Sequence, residues 1–271
     1  MENTDKIIYL DNAATTRTLP EAVKAMLPWF SGHYGNASSI YRLGAKAKEL
    51  ITDVRETIAG SLNAEPKEIY FTAGGSEADN WALIAAAEAY EDKGRHIITS
   101  RIEHHAVLHT CSYLEKRGFE VTYIDVDEAG ILKLEELKKA IRPDTILISV
   151  MFANNEIGTL QPIAEIGRLA REKGIVFHTD AVQAYGHLPI DVKALGIDML
   201  SASGHKLNGP KGIGFLYIRK GVKIRSFIHG GAQERRRRAG TENVPGIIGL
   251  GTAAKRAART MEERAERESA L

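Results

Sequence analysis

Lys206 stands in Ser-Gly-His-Lys-Leu-Asn-Gly-Pro-Lys-Gly, residues 203–212, among glycines rather than on a helix face. Lysine is ordinarily solvated surface. A lysine tucked into a glycine-rich strand end beside His205 and Ser203 can instead serve as a Schiff-base amine, which needs desolvation to be nucleophilic near neutral pH. Asp180 directly follows the apolar run Ile-Val-Phe-His-Thr. A carboxylate there either caps the next helix or pairs with a cationic ligand nitrogen. Gly74, Gly75 and Ser76 open a helical stretch, so free backbone N–H groups and the Ser76 hydroxyl could cradle a phosphate. The plainer alternative is a glycine turn with Ser76 as N-cap. Neither a Walker pattern nor G-x-G-x-x-G is present, which gives no support to a nucleoside triphosphate or dinucleotide site.

His104, His105 and His109 raise the question of a metal, since 105 and 109 are four residues apart. There is no H-E-x-x-H, and the sequence offers no evident cysteine or carboxylate to complete a ligand set, so no metal is expected. His104, at a strand-to-helix turn, is the one placed to face a ligand. The run Arg235 to Arg238 reads as a solvated loop or as the lining of an anionic pocket; a nucleic-acid patch needs more basic and aromatic company. Cys111 shares a stripe with Val107 and Leu114, which marks a buried, inert thiol.

These side chains need a scaffold that gathers them. Short β-rich runs recur at 7–10, 68–72, 96–100, 121–124, 145–150, 175–179, 198–201 and 213–218, and most are separated by stretches of helical spacing. Leu43, Ala47, Leu50, Val54, Ile58 and Leu62 form one helical stripe. Pro20 opens another helix, on which Val23, Met26, Leu27 and Phe30 are expected to face one way. The alternation predicts an α/β domain with a largely parallel sheet, and in such sheets ligands bind at the carboxyl ends of the strands. Every candidate above follows a strand, as does Asn155 in Asn-Asn-Glu-Ile-Gly. One crevice would gather them all.

Bulk properties narrow the classes further. The chain has 271 residues, 36 Lys plus Arg against 35 Asp plus Glu, a net charge of +1, and 44 % hydrophobic content. That is an ordinary globular composition, with too little net charge for a chain that is basic overall. No stretch of roughly eighteen apolar residues exists to span a membrane, and the polar N-terminus is unlike a signal peptide. The single cysteine forbids an intrachain disulfide and fits a cytoplasmic setting. The final segment reads as one helix over 243–270 that stops without a cap or returning strand, as if leading to something further. Three parts are expected: an N-terminal segment 1–15, a large domain 16–250, and the start of a linking helix at 251–271.

Taken together, Tyr-Leu-Asp-Asn-Ala-Ala-Thr-Thr (9–16), Phe-Thr-Ala-Gly-Gly-Ser-Glu-Ala-Asp-Asn (71–80), Glu-His-His-Ala-Val (103–107), 154–158, His-Thr-Asp-Ala-Val-Gln-Ala-Tyr-Gly (178–186), 201–212 and Gly-Gly-Ala-Gln-Glu-Arg-Arg-Arg-Arg-Ala-Gly-Thr-Glu-Asn-Val (230–244) resemble, in order, the motifs of cysteine desulfurases of the NifS and IscS type. The resemblance implies a fold-type I enzyme dependent on pyridoxal 5′-phosphate, with a mostly parallel seven-stranded-type sheet and the small C-terminal domain largely absent. It implies that Lys206 forms the internal aldimine and later moves the substrate's Cα proton. Asp180 would pair with the pyridine nitrogen, Gln183 with the phenolic oxygen, and His104 would stack on the ring. Gly75, Ser76, Ser203 and His205 would hold the phosphate, Asn155 would touch the ring side and substrate, and Thr241 would reach the phosphate of the partner subunit in a homodimer. The reaction implied is L-cysteine to L-alanine, with sulfur passed as a persulfide to an iron–sulfur scaffold or another sulfur acceptor.

Two departures accompany the resemblance. The family's nucleophilic cysteine and its substrate-carboxylate arginine lie beyond residue 271, so the chain alone is expected to be weakly active or inactive. Arg236 stands where the family pattern has glycine, which could disturb the loop bearing Thr241. Another fold-type I lyase acting on selenocysteine or cysteine, and a non-catalytic scaffold, remain the alternatives.

Overall fold

The structure is a computed structural model that describes residues 8–270. Seven strands form one sheet: β1 (Ile69–Thr72), β2 (His96–Ser100), β3 (Glu120–Ile124), β4 (Thr145–Ser149), β5 (Val176–Asp180), β6 (Met199–Ser203) and β7 (Gly214–Ile218). Their spatial order is β1-β7-β6-β5-β4-β2-β3. Only β7 is reversed, pairing antiparallel with both β1 and β6. The other six therefore run the same way, and the loops after β1, β2, β4, β5 and β6 leave along one edge.

Six of the seven strands are buried at every position, and only the edge strand β3 is part-exposed, which is why most read as apolar runs. Side chains still alternate between faces. Ile98, Ile148, Phe177, Leu200 and Phe215 enter one core with α3 (Arg42–Ser61) and α9 (Val244–Arg259). Ile97, Leu147, Val176, Met199 and Leu216 enter the other with α4 (Gly75–Tyr90) and α5 (His105–Glu115). Each such side chain, wholly withdrawn from water, stabilises the fold by roughly 1.5–3 kcal/mol before entropy is counted. Trp81 of α4 is fully buried and donates its indole N–H to the Arg225 carbonyl at 3.2 Å, so its one polar atom is satisfied. Two shorter helices, α6 (Leu134–Ala140) and α7 (Ile163–Lys173), complete the crossovers.

Three expectations change. Residues 8–10 form no strand, and residue 7 lies outside the described residues. The N-terminal helix is two short pieces, α1 (Pro20–Met26) and α2 (Pro28–Ser31), broken at Pro28. The buried face is also not the expected one: Ala22 and Trp29 are buried and Met26 half-buried, whereas Val23, Leu27 and Phe30 are exposed, the last at 63 %. The final helix is interrupted at Thr260, so α9 is followed by a separate α10 (Met261–Ser269). Helix α9 spans residue 250, with Ala253, Ala254 and Ala257 buried in the same core as α3.

Candidate active site

A cavity of about 540 Å³ opens at the edge where the strand-end loops emerge. Its walls include Gly75, Ser76, His104, Asn155, Asp180, Gln183, Ser203, His205 and Lys206. Nine of the ten residues singled out from the sequence are thus brought to one place. Thr241 is not among them; it lies exposed on the loop before α9.

One wall is the start of α4. Gly74 has φ +150° and ψ −175°, a conformation open only to glycine, and it is the N-cap. Ser76 therefore sits inside the first turn rather than capping it. Gly75 is required by space as well: a Cβ there would lie 2.6 Å from a Val182 methyl. The result is a helix N-terminus whose free N–H groups face the cavity, a natural anion site.

The opposite wall is the turn Gly204–Lys206 that ends β6. The Lys206 Nζ donates to the Ala14 carbonyl at 2.9 Å and also to the Ala13 carbonyl. Burial holds its ammonium below the ordinary lysine value, against the opposing pull of Asp180, Asp11 and Glu156. The N-terminal segment straps this turn in place. Thr16 bonds the His205 carbonyl through both its hydroxyl (2.7 Å) and its N–H (2.9 Å), and the Gln183 amide donates to Ala13 at 3.0 Å. His205 Nδ1 meets the Thr15 hydroxyl at 3.0 Å; burial and then Lys206 keep its ring below the usual histidine range.

Asp180 closes the floor at the end of β5. One carboxylate oxygen accepts the Val182 N–H at 2.8 Å within a turn; no helix lies between β5 and β6 for it to cap, and the buried side chain reaches the cavity. Burial raises its pKa, while the Val182 N–H, His104 and Lys206 lower it. His104 is the N-cap of α5. Its Nδ1 accepts the Ala106 N–H at 3.1 Å, which leaves the ring proton of the neutral form on Nε2.

Asp79 was not singled out from the sequence. It is buried on α4, lines the cavity, and its Oδ1 has no hydrogen-bond partner. Its position one turn beyond Ser76 was the available signal, obscured because Ser-Glu-Ala-Asp-Asn reads as an ordinary polar helix start. Asp79, His104 and Asp180 each place one atom within 4.8 Å of the others. The sequence had offered His105 and His109 as the metal question instead; those rings merely stack, at 5.1 Å.

The arginine run does not line this cavity: Arg235 and Arg236 are exposed and Arg237 and Arg238 half-buried, yet three of the four have specific partners. Arg235 lies 3.9 Å over the Tyr70 ring and Arg237 5.4 Å over the same ring, while Arg238 forms a two-pronged pair with Glu77. Glu234 is buried and receives both prongs of Arg55, at 2.8 and 2.9 Å, plus the Phe71 N–H. Within the turn α8 (Gln233–Arg236), Glu234, Arg235 and Arg236 have φ of 41°, 58° and 63°. The backbone takes the left-handed path although Arg236 is no glycine. Cys111 is fully buried, and burial pushes its thiol well above the ordinary range.

A buried carboxyl oxygen without a partner, a second carboxylate beside it, a lysine amine and a helix N-terminus make one cavity polar at both ends. These residues fit pyridoxal phosphate, whose cationic ring nitrogen and dianionic phosphate need opposite surroundings. The aminotransferase class-V family model matches residues 8–271. A cysteine desulfurase IscS from Methanosarcina thermophila is 62 % identical over 96 % of this chain and 64 % of its own length. One from Clostridium botulinum (strain Hall) is 57 % identical over 98 % of this chain and 67 % of its own. Among solved structures, a NifS-like protein superposes with a TM-score of 0.93 at 45 % identity, covering 96 % of this chain and 72 % of that one. The chain therefore spans about two thirds of the length of the curated relatives it matches. Family enzymes depend on pyridoxal phosphate, and this chain belongs to the aminotransferase class-V family, among its cysteine desulfurases.

Proposed function

We propose that this chain supplies the pyridoxal phosphate site of a cysteine desulfurase, which converts L-cysteine to L-alanine and hands the sulfur to an acceptor. The observation that carries the reading is a single cavity holding Lys206, Asp180 and the α4 N-terminus, each in the chemical environment its role needs.

In this reading the Lys206 amine is the covalent attachment point for the cofactor's aldehyde, kept nucleophilic by its partial burial. Bound there, pyridoxal phosphate supplies an electron sink for the pair left at the substrate's Cα. Lys206 then takes and returns the proton at that carbon. Asp180 holds the ring nitrogen, and Gln183, fixed by its bond to Ala13, faces the phenolic oxygen. His104 packs on the ring, and Asn155 stands at the substrate side. Gly75, Ser76, Ser203 and His205 hold the phosphate. The thiolate that accepts sulfur is not Cys111, which is sealed inside the α4–α5 core.

The working unit is a homodimer in which Thr241 reaches the other subunit's phosphate. Its support is the exposed apolar surface of Leu27, Phe30 and Ile40 on the N-terminal side of the molecule. The setting is the cytoplasm, with an iron–sulfur scaffold or another sulfur carrier as recipient. Among the described residues no helix is long and apolar enough to cross a membrane.

The test is to load the chain with pyridoxal phosphate, reduce with borohydride and map the labelled peptide. The adduct is expected on Lys206; an adduct on another lysine, or none, overturns the assignment. Cysteine plus a reductant should then yield little alanine or sulfide. Turnover matching a complete desulfurase and surviving Cys111→Ala would refute the need for a thiolate from elsewhere.

A further inference from the structure

Asp79 presents an imbalance that the roles above leave unexplained. Its carboxyl is 1 % exposed and its Oδ1 is unpartnered. His178 Nε2 lies 3.6 Å from that oxygen, a spacing suggestive of an ion pair. The geometry around His178 argues otherwise. Its two ring nitrogens are already engaged by the Ser149 hydroxyl on β4 (2.8 Å) and the Ser201 hydroxyl on β6 (2.9 Å). Burial drives its pKa down to about 3, so the ring is neutral at physiological pH. The other groups facing Asp79 are the Ser201 hydroxyl, which favours its ionised form, the acids Asp180 and Glu103, and His104 and Lys206, which act on Asp180. Two buried carboxyls thus approach within 4.8 Å with no full cation assigned to the second. Burial and the facing Asp180 both push the Asp79 carboxyl well above the usual carboxylate range, which favours a proton kept on the pair.

We propose that Asp79 is a positioning residue at the ring-nitrogen end of the site: Asp79 and Asp180 act as a dicarboxylate pair, and a cationic heteroaromatic ring seated against Asp180 displaces the proton the pair holds. This rests on the pyridoxal phosphate reading. It adds that the protein meets the ring's charge with two carboxyls, and that cofactor affinity is linked to pH through Asp79. The proton leaves to solvent through the cavity mouth, and no other bond changes.

The experiment is titration calorimetry of the 271-residue chain with pyridoxal phosphate and with its 1-deaza analogue, which lacks the ring nitrogen. Each is run in two buffers of different ionisation enthalpy, at a pH where the ring nitrogen is already protonated in solution. Protons common to both ligands, including those from Lys206, cancel in the difference. The nitrogen-bearing ligand is expected to release about one proton more than the analogue, and its relative affinity to rise about tenfold per pH unit below the pair's titration. Asp79→Asn should cut that extra release by more than half while the cofactor's visible absorbance band remains. Asp79→Ser serves if the amide does not fold. Equal release by both ligands in the unmutated chain overturns the inference, as does release unchanged in the variants. Failure of the unmutated chain to bind pyridoxal phosphate at all would remove the cofactor reading itself, a result visible in the absorbance before any protons are counted.

Discussion

Replacing Glu103 with glutamine isolates one buried ionisation. The Glu103 Oε1 accepts the Ser100 hydroxyl at 2.5 Å and the Met151 N–H at 2.9 Å, while Oε2 has no partner. Burial is the main reason its pKa rises from 4.5 to about 8. Between those values the folded chain holds a proton that the unfolded chain has lost. The contribution is therefore complete below the unfolded value and disappears as pH rises through about 8. The slope is about 1.4 kcal/mol per pH unit, so moving from about pH 6 to about pH 7.5 costs the wild type roughly 2 kcal/mol through this group. Glutamine keeps the Oε1 acceptor and resembles the protonated acid in shape, but it cannot ionise. Urea unfolding followed by circular dichroism, on both chains at each pH without cofactor, gives the difference directly. Groups common to both, such as His178, cancel. The gap should move by roughly 2 kcal/mol in favour of Glu103→Gln as pH rises. Parallel pH profiles would show that Glu103 is already ionised in the folded chain and that the desolvation argument is wrong.

Three other outcomes are expected. Arg236→Gly should stabilise by up to about 1 kcal/mol in urea, because φ of 63° strains any L-residue and glycine sheds that strain at some entropic cost. Glu234→Gln should cost roughly 3–5 kcal/mol, since it leaves Arg55 without its buried two-pronged partner; a loss under about 1 kcal/mol would mean water already reaches the pair. Cys111 should ignore Ellman's reagent in the folded chain and titrate as one thiol in guanidinium, and rapid native labelling would contradict its burial.

The strands were readable to within two residues wherever the apolar run was continuous, because both faces of the sheet are covered. Residues 7–10 carry the same apolar signal but no neighbour for residues 8–10 to pair with, and local composition holds no record of a missing partner. The face of α1 was misread because two apolar stripes compete there: Ala22, Met26 and Trp29 keep helical spacing just as Val23, Leu27 and Phe30 do, and local sequence does not say which one packs. In the site, Lys206, Asp180 and Ser76 were legible because each follows a strand and the sheet's edge gathers strand ends. Asp79 was not, since nothing local distinguishes a helix acid that turns inward from one that faces water. The straps from Ala13 to Thr16 were equally hidden. They act through backbone carbonyls and small hydroxyls, which have little compositional signature. The Arg235–Arg238 run looked like solvent-facing charge until Tyr70 and Glu77 supplied partners for three of its members from far away in the chain.

The pairing of β1 with β7 bears on how the chain is made. Ile69 lies opposite Tyr217 and Thr72 opposite Gly214, so the first strand synthesised waits for the last. A ribosome adding about 5–20 residues per second takes roughly 7–30 s to cover the residues between them. During that interval β1, four residues long and buried throughout in the finished fold, has no edge to join. An exposed Ile-Tyr-Phe-Thr edge is the kind of segment that other chains can capture. Efficient production should therefore depend on holding that strand until β7 emerges, and slowing translation between residues 72 and 214 should lower the soluble yield more than slowing it after 218.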